Sequence, residues 1–450
     1  MDKILNAENK IKHEIIHDDI NATEFLLTHF YEENFTSSTN KLKLYIKKLI
    51  SWVAKQIPSE RFYSNVLPKL KYKNKKYVYV QMFDIADSRH FSILDNLIQK
   101  TTNNENKQYT LIVTNSKRVA AYYKIKGFDV LSLKYPKFIG IKKSNSNLNF
   151  EENLLINKCI FLYEKAKKIL VELDTEVIFT TQDFHIYDQI FTKAANKVGV
   201  ISVTHQHGMI PYPTPGLFKY IYSTYVMVWG KSSYDTLKEY IPEQKIIISG
   251  TDKFNYLLTK PHDMTRRNIT LALNPIDEKT NREIIYHTFK SFQDSLNDLE
   301  GISNVIVKLH PSLNRRHYEE IIQDIITSND LNVNYIINEN DNFMVLYSSK
   351  IFIGYLTTLS LEAMIAGCSV IELNMNINRE ALCGNRLFRN LPESIVHYND
   401  IKNELLKRIL NTKYNNDILM KQRKNIDYEI HDFSIKTELD YINDMIEGSR

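Results

Sequence analysis

The sequence predicts an α/β protein built from two successive doubly wound domains, each with a parallel sheet. Short runs rich in β-branched residues alternate with helical patterns from residue 77 onwards, and these runs are almost continuously apolar. Such runs are typical of parallel strands that helices cover on both faces. The alternation pauses over 259–268, which contains Pro261 and no periodicity, and then restarts. This pause predicts the boundary between two Rossmann-like domains that face each other across a cleft.

The predicted strands fall into two sets with helical patterns between them. Those of the first set are YVYVQM, YTLIVT, EVIFTT, VISVT, YVMVW and KIIIS, at 77–82, 109–114, 176–181, 200–204, 225–229 and 245–249. Those of the second set are ITLALN, NVIVKLH, VNYIIN, KIFIGY and SVIELN, at 269–274, 304–310, 333–338, 350–355 and 369–374. We therefore predict four segments: a helical extension without a convincing strand, a first Rossmann-like domain, a second Rossmann-like domain, and C-terminal helices that pack back across both domains. Their predicted bounds are 1–75, 76–258, 259–400 and 401–450.

Composition places the chain among soluble globular proteins. Its 450 residues are 43% hydrophobic and 25% charged, and the net charge of +5 is too small to indicate a nucleic-acid partner. The three cysteines form no CxxC pair, and the charged N-terminal segment contains no apolar core of a secretory signal. No apolar run reaches the roughly 18 residues of a membrane-spanning helix. We therefore expect a cytoplasmic protein.

One segment suggests contact with a membrane surface. KLKLYIKKLISWVAKQI, at 41–57, places apolar side chains on one face of a predicted helix and lysines on the other. A basic amphipathic helix of this kind can lie on an anionic bilayer. Its apolar face can equally pack on the rest of the protein. Both alternatives stay open, so the expected location includes the cytoplasmic face of the inner membrane.

Polar residues that directly follow the strands are the main functional candidates, because open parallel sheets bind ligands at the carboxyl ends of their strands. In VIVKLHPS, the strand that contains Lys308 is followed by His310 and Pro311. Pro311 restricts the backbone of His310 and stops the strand. The imidazole can donate a hydrogen bond to a phosphate oxygen, or it can bond to a loop carbonyl as a simple cap.

A second candidate is the turn in FIGYLTTLSLEAMIAGCSVIEL, at 352–373, where a strand is followed by TTLS and then by a helix. The hydroxyls of Thr357, Thr358 and Ser360, with the N–H groups of the helix start, can form a phosphate cradle. Glu362, in the first helical turn, is placed to accept hydrogen bonds from a ribose diol. The alternatives are ordinary helix capping by the hydroxyls and compensation of the helix dipole by the carboxylate.

The order strand–KLHP, strand–TTLSLEA, strand resembles the donor-nucleotide domain of the GT-B glycosyltransferases. More narrowly, it is similar to bacterial capsule and lipopolysaccharide transferases, including polysialyl- and Kdo-transferases and CDP-polyol phosphate transferases. The resemblance covers about 176–375. It implies transfer from a CMP-, CDP- or UDP-linked sugar to a glycan or glycolipid acceptor, with no cofactor besides this co-substrate. No Asp-x-Asp motif stands at a strand end, so we expect the transfer to be metal-independent. It also implies that His310 and the TTLS hydroxyls bind the donor phosphate.

The same group has a glycine-terminated motif after a strand of the first domain, which supplies the catalytic base. Here ISVTHQHGMIPYP, at 201–213, offers QHG, which implies that His207 is the base of an inverting transfer. The acidic pattern of the sialyltransferases is absent from this motif. On chemical grounds alone, an imidazole suits proton transfer from an acceptor hydroxyl near neutral pH. Structural histidines, or a metal held by His205 and His207, are the alternatives, although no third ligand stands nearby and we expect no metal site.

Further candidates on the acceptor side follow two other strands of the first domain. Asp183 is the second candidate for the base, or for a carboxylate that orients His207. The other acceptor-side candidates are Asp84, Asp87, Arg89 and His185.

Two other functions are compatible with this architecture. A non-hydrolysing nucleotide-sugar 2-epimerase would need no acceptor. A non-catalytic scaffold of a polysaccharide assembly complex would keep the fold and dispense with His207.

Overall fold

The computed structural model describes two large sheets and helices that pack around them. The described residues are 16–18, 20–22, 72–81, 98, 107–133, 146, 148–181, 186–212, 221–251, 253–257, 266–275, 277–295, 301–338, 342–355, 357–375, 384–385 and 390–430. The predicted membrane-surface helix over 41–57 lies outside them.

In chain order, the first half of the protein contains ten described strands and four described α-helices. The strands are β1 (Ile16–His17), β2 (Ile20–Asn21), β3 (Tyr77–Val80), β4 (Thr110–Thr114), β5 (Asp129–Ser132), β6 (Val177–Thr180), β7 (Ile201–His205), β8 (Pro211–Tyr212), β9 (Tyr225–Val228) and β10 (Ile246–Ile248). The helices are α1 (Lys117–Ile125), α2 (Phe150–Glu172), α3 (Ile186–Lys197) and α4 (Lys231–Leu237).

Among the described residues of the first domain, seven parallel strands form a sheet in the order β10-β9-β7-β6-β3-β4-β5. Alternate side chains of each strand enter two different cores. In β3, for example, Val78 and Val80 pack with α2 and α3, whereas Tyr79 packs with α1 on the opposite face. Burial on both faces explains why the strands are almost continuously apolar in the sequence.

The second half of the protein repeats the α/β pattern. Its described strands are β11 (Asn268–Leu273), β12 (Asn304–Leu309), β13 (Tyr335–Asn338), β14 (Ser349–Gly354), β15 (Ser369–Asn374), β16 (Gly384–Asn385) and β17 (Ile395–His397). The described α-helices are α5 (Glu278–Gln293), α6 (Arg315–Ser328), α7 (Asn342–Ser348), α8 (Leu359–Ala366), α9 (Ile401–Leu410) and α10 (Thr412–Glu429).

The described strands of the second domain form a six-stranded parallel sheet in the order β13-β12-β11-β14-β15-β17. Side-chain caps set where several helices begin. Asp277 accepts a hydrogen bond from the Thr280 amide at the start of α5, and Asn314 accepts one from the His317 amide at the start of α6. Two parallel-sheet domains with helices on their faces confirm the predicted fold class.

Three described contacts connect distant parts of the chain. The short strand β8 pairs antiparallel with β16, which joins a loop of the first domain to one of the second. Helix α10 contacts β15 through Gln422, whose side chain bonds to both backbone groups of Val370. The same helix contacts α4, because the Tyr428 hydroxyl donates to Asp235 at 2.9 Å.

The N-terminal residues contain a feature that the sequence analysis did not expect. Strands β1 and β2 form a small antiparallel hairpin, whereas no strand was predicted before residue 76. Strands of two residues each are too short to produce a periodic pattern, so the sequence offered no signal for them.

Candidate active site

The carboxyl ends of the two sheets meet at the loop that follows β7 and the turn that follows β14. The Met209 amide donates a hydrogen bond to Oγ1 of Thr358 at 3.2 Å. A Cβ atom on Gly208 would lie 3.4 Å from the same oxygen. The QHG loop of one domain and the TTLS turn of the other are therefore in direct contact, at the place where ligands of such sheets bind.

Gln206 holds the loop after β7 in place. This side chain is only 6% exposed, and both ends of its amide are bonded. Its Oε1 accepts from the Trp229 amide at 2.9 Å, and its Nε2 donates to the Gly208 carbonyl at 2.8 Å. This role of Gln206 was not predicted from the sequence. A polar residue between two histidines at the end of a buried strand was the available signal.

His207 is half-buried and its ring is oriented by a carbonyl of the neighbouring strand end. Nδ1 lies 3.1 Å from the carbonyl oxygen of Thr181, which follows β6. A carbonyl only accepts hydrogen bonds, so Nδ1 must carry the proton in the neutral ring. The lone pair is then on Nε2, as a general base requires.

Lys253 places a positive charge beside the same loop. Its Nζ donates to the His207 carbonyl at 3.2 Å. The ammonium also lies 5.1 Å from the ring centroid of Trp229 and 5.3 Å from that of Phe254, within the range of a cation–π contact. This lysine was not among the residues predicted from the sequence.

In His310, the two ring nitrogens have the opposite roles to those in His207. Its backbone amide donates to the Leu273 carbonyl at 3.1 Å, which places the residue at the carboxyl edge of the second sheet. Nδ1 accepts from the Ser312 amide at 3.2 Å and lies 2.8 Å from the Ser312 hydroxyl. In the neutral ring the proton is therefore on Nε2, which makes that atom a hydrogen-bond donor. Pro311, half-buried, holds the turn between His310 and Ser312.

The hydroxyls of the TTLS turn have three different partners. Thr357 Oγ1 accepts from the Leu359 amide at 3.2 Å, and Thr358 Oγ1 accepts from Met209 as described. Ser360 is fully buried and donates to the carboxylate of Glu372 at 2.9 Å. This burial corrects the prediction for Ser360, because its hydroxyl points into the domain and is unavailable to a phosphate.

The packing of Ser360 depends on Gly354 at the end of β14. A Cβ atom at this position would lie 2.5 Å from the Ser360 oxygen, a distance that real Cβ contacts do not show. The glycine in FIGYLTTLS therefore allows the turn to fold closely against its own strand.

Glu362 and Lys308 are both buried. Glu362 is 7% exposed, and its Oε2 accepts from the Tyr256 hydroxyl at 2.7 Å and from the Asn342 side chain at 3.0 Å. Contact between Oε1 of Glu362 and a ribose remains a prediction. Lys308 is 3% exposed and donates to the Leu309 carbonyl at 3.3 Å. Burial of this ammonium argues against direct contact with a donor phosphate.

The remaining candidates lie outside the described residues. These are Asp84, Asp87, Arg89, Asp183 and His185. Within the described part of the chain, no group of three His, Cys, Asp or Glu side chains could hold a metal ion. Searched over the same residues, the helices include none with the length and apolar character that a membrane crossing needs.

Comparison with known proteins identifies the fold. No family model and no curated protein matches the sequence. Solved structures do match, among them HepE of Anabaena in complex with UDP and glucose, with 12% identity over 84% of this chain and 100% of that chain, and a TM-score of 0.51. A glycosyltransferase of Rickettsia africae matches with 14% identity over 84% of this chain and 99% of that chain, and a TM-score of 0.50.

A UDP-GlcNAc 2-epimerase of Neisseria meningitidis, bound to UDP-GlcNAc, also matches. It is 12% identical over 83% of this chain and 100% of that chain, with a TM-score of 0.50. Identities this low establish the fold and leave the activity open. The fold is GT-B, as the sequence motifs predicted.

Proposed function

We propose that this GT-B protein is a glycosyltransferase that uses a nucleotide-activated sugar, inverts the anomeric centre, and needs no metal ion or other cofactor. The observation that supports this most is the pair of opposite histidine tautomers. His207 has its lone pair on Nε2 and suits proton acceptance, whereas His310 has its proton on Nε2 and suits phosphate binding.

The donor would bind along the carboxyl edge of the second sheet. β11 lies between β12 and β14, so His310 and the TTLS turn are two strand spacings apart, about 10 Å. An extended anionic ligand such as a nucleotide sugar can contact both places. The proposed phosphate contacts are His310 Nε2–H and the hydroxyls of Thr357 and Thr358. The amides of Leu359, Ser360, Leu361 and Glu362 at the start of α8 already donate within the turn.

In the proposed reaction, an acceptor hydroxyl attacks the anomeric carbon while Nε2 of His207 takes its proton. The bond between the anomeric carbon and the phosphate oxygen breaks, and the nucleotide leaves with the electron pair. Hydrogen bonds from the second domain stabilise the charge that develops on this phosphate. Attack opposite to the leaving group inverts the configuration at the anomeric carbon.

The finer assignment rests on the sequence motifs. We propose a CMP-, CDP- or UDP-linked donor and a bacterial capsule or lipopolysaccharide glycan as the acceptor. Asp84, Asp87, Arg89, Asp183 and His185 are the proposed acceptor-side residues. A cytoplasmic location, with contact to the inner membrane through 41–57, belongs to the same proposal.

A nucleotide-sugar 2-epimerase is the second candidate, because the Neisseria epimerase matches as well as the Rickettsia glycosyltransferase. Product analysis separates the two. The purified protein is incubated with UDP-GlcNAc and other nucleotide sugars without an acceptor, and the products are identified by NMR spectroscopy. An epimerase forms a C2 epimer under these conditions. The proposed transferase leaves the sugar configuration unchanged and releases nucleotide when a glycan acceptor is added.

A further inference from the structure

We propose that Thr358 is a positioning residue that couples donor binding in the second domain to the alignment of His207 in the first. The inference rests on the proposed function and deepens it. The family resemblance gives the TTLS hydroxyls a role in phosphate binding alone. The structure adds a contact between Thr358 and the loop that carries the proposed base.

The first observation is that Thr358 occupies a capping position without capping its own helix. Threonine at the start of a helix ordinarily accepts a hydrogen bond from an amide of the first turn. Thr358 makes no such side-chain bond at the start of α8. Its Oγ1 accepts from the Met209 amide of the other domain instead, at 3.2 Å.

The second observation is that the QHG loop is held as one unit. Gln206 bonds to the Gly208 carbonyl, and Lys253 bonds to the His207 carbonyl. The Thr181 carbonyl orients the ring of His207. A displacement of Met209 is therefore transmitted over two residues to the proposed base.

The chemistry of a hydroxyl connects these observations. While Oγ1 of Thr358 accepts from Met209, its O–H proton can still be donated to another acceptor. A phosphate bound at the start of α8 is such an acceptor. Donation to this anion polarises the oxygen and strengthens the bond from Met209, because linked hydrogen bonds reinforce each other. Donor binding should therefore fix the base loop more firmly.

The test follows amide exchange at Met209 and catalysis in the full-length protein. Thr358→Val removes the hydroxyl at nearly constant volume, and Thr358→Ser restores it. Tyr428→Phe is the control, because it removes another hydrogen bond between the domains, from α10 to α4. UDP, CDP and CMP serve as probes. Isothermal titration gives their affinities, and circular dichroism checks the folding of each variant.

In the wild-type protein, a saturating nucleotide should slow exchange of the peptide that contains Met209 by up to about twofold, because it strengthens by a fraction a hydrogen bond that is already present. Thr358→Val should abolish this protection and lower kcat about tenfold. Its effect on KM for the donor should be smaller. Thr358→Ser and Tyr428→Phe should behave like the wild type.

Two results would overturn the inference while nucleotide still binds. One is unchanged protection of Met209 in Thr358→Val. The other is an equal loss of protection in Tyr428→Phe, which would indicate general loosening of the domain contact. Failure of every nucleotide to bind the wild-type protein would overturn the proposed function together with the inference.

Discussion

At the scale of single residues, local partners decide what each histidine can do. His207 faces a carbonyl and His310 faces an amide, so their neutral rings carry the proton on different nitrogens. The sequence placed both histidines at strand ends, because a buried apolar run followed by a polar residue is visible in it. It could not predict the tautomers, since Thr181 is 26 residues from His207.

For Ser360, the structure gives a partner that differs from the predicted one. The sequence grouped it with Thr357 and Thr358 as a phosphate-binding hydroxyl. Two residues after Thr358, the side chain of Ser360 points into the domain, towards Glu372. Side-chain direction at a helix start depends on backbone geometry that a list of residue types does not contain.

His207→Ala should lower the rate of donor turnover by about 10²- to 10⁴-fold, the usual contribution of a general base. Nucleotide affinity should change less than about twofold, because the proposed donor site belongs to the other domain. Turnover is measured as nucleotide release in the presence of acceptor. His317→Ala, which removes an exposed histidine on α6, is the control. Wild-type turnover in His207→Ala would exclude this residue as the base.

At the scale of elements, every predicted strand forms, and two additional strands of the large sheets were missed. β5 and β17 lie at the edges of their sheets. Edge strands have one neighbour and are partly exposed, so DVLS and IVH lack the continuous apolar run of the central strands. The sequence therefore predicts central elements better than edges, because burial on both faces produces its main signal.

A buried arginine connects the C-terminal helices to the second sheet. Arg408 of α9 is fully buried and pairs with Glu404 at 2.7 Å. It also donates to the Ser369 hydroxyl at 2.9 Å and to the Val370 carbonyl at 2.8 Å, both on β15.

Arg408→Ala should lower the free energy of unfolding by about 3 kcal/mol, because it leaves a buried carboxylate with fewer partners. Urea denaturation measures this loss. Arg423→Ala, at an exposed position on α10, is the control. It should change the free energy of unfolding by less than about 0.5 kcal/mol. Equal effects of the two substitutions would show that the buried network does not stabilise the protein.

At the scale of the whole molecule, contacts between distant segments hold the described parts together. Trp229 and Phe254 of the first half pack in one cluster with Leu361 and Phe352 of the second. The N-terminal hairpin docks on the first domain through Asp18, which bonds to Lys167 at 2.5 Å and to the Tyr163 hydroxyl at 3.0 Å. These contacts join residues far apart in the sequence, which is why no local pattern predicted them.

The hairpin contact should make stability depend on pH. The hydrogen bond from Lys167, followed by that from Tyr163 and the nearby charge of Lys197, lowers the pKa of Asp18 from 3.8 to about 2. A lowered pKa in the folded state stabilises the protein above the unfolded value, and this contribution is lost as the pH falls from about 4 to about 2.

Asp18→Asn keeps a side chain that tolerates the left-handed backbone of this turn (φ 53°) and removes the charge. It should destabilise the protein by about 1 kcal/mol at pH 7, the scale of a partly exposed ion pair. The difference in melting temperature from the wild type should shrink as the pH is lowered from 5 to 3. Glu172→Gln, at an exposed pair on α2, is the control. A difference that stays constant down to pH 3 would contradict the assigned pKa.

The central claim is a division of labour, with the nucleotide bound by the second domain and the proton taken by the first. Isothermal titration of the wild-type protein, His310→Ala and His207→Ala with UDP, CDP and CMP tests it most directly. We predict that at least one nucleotide binds, that His310→Ala weakens this binding at least tenfold, and that His207→Ala leaves it within about twofold. Equal affinity in the wild-type protein and His310→Ala, or no binding of any nucleotide, would contradict the account.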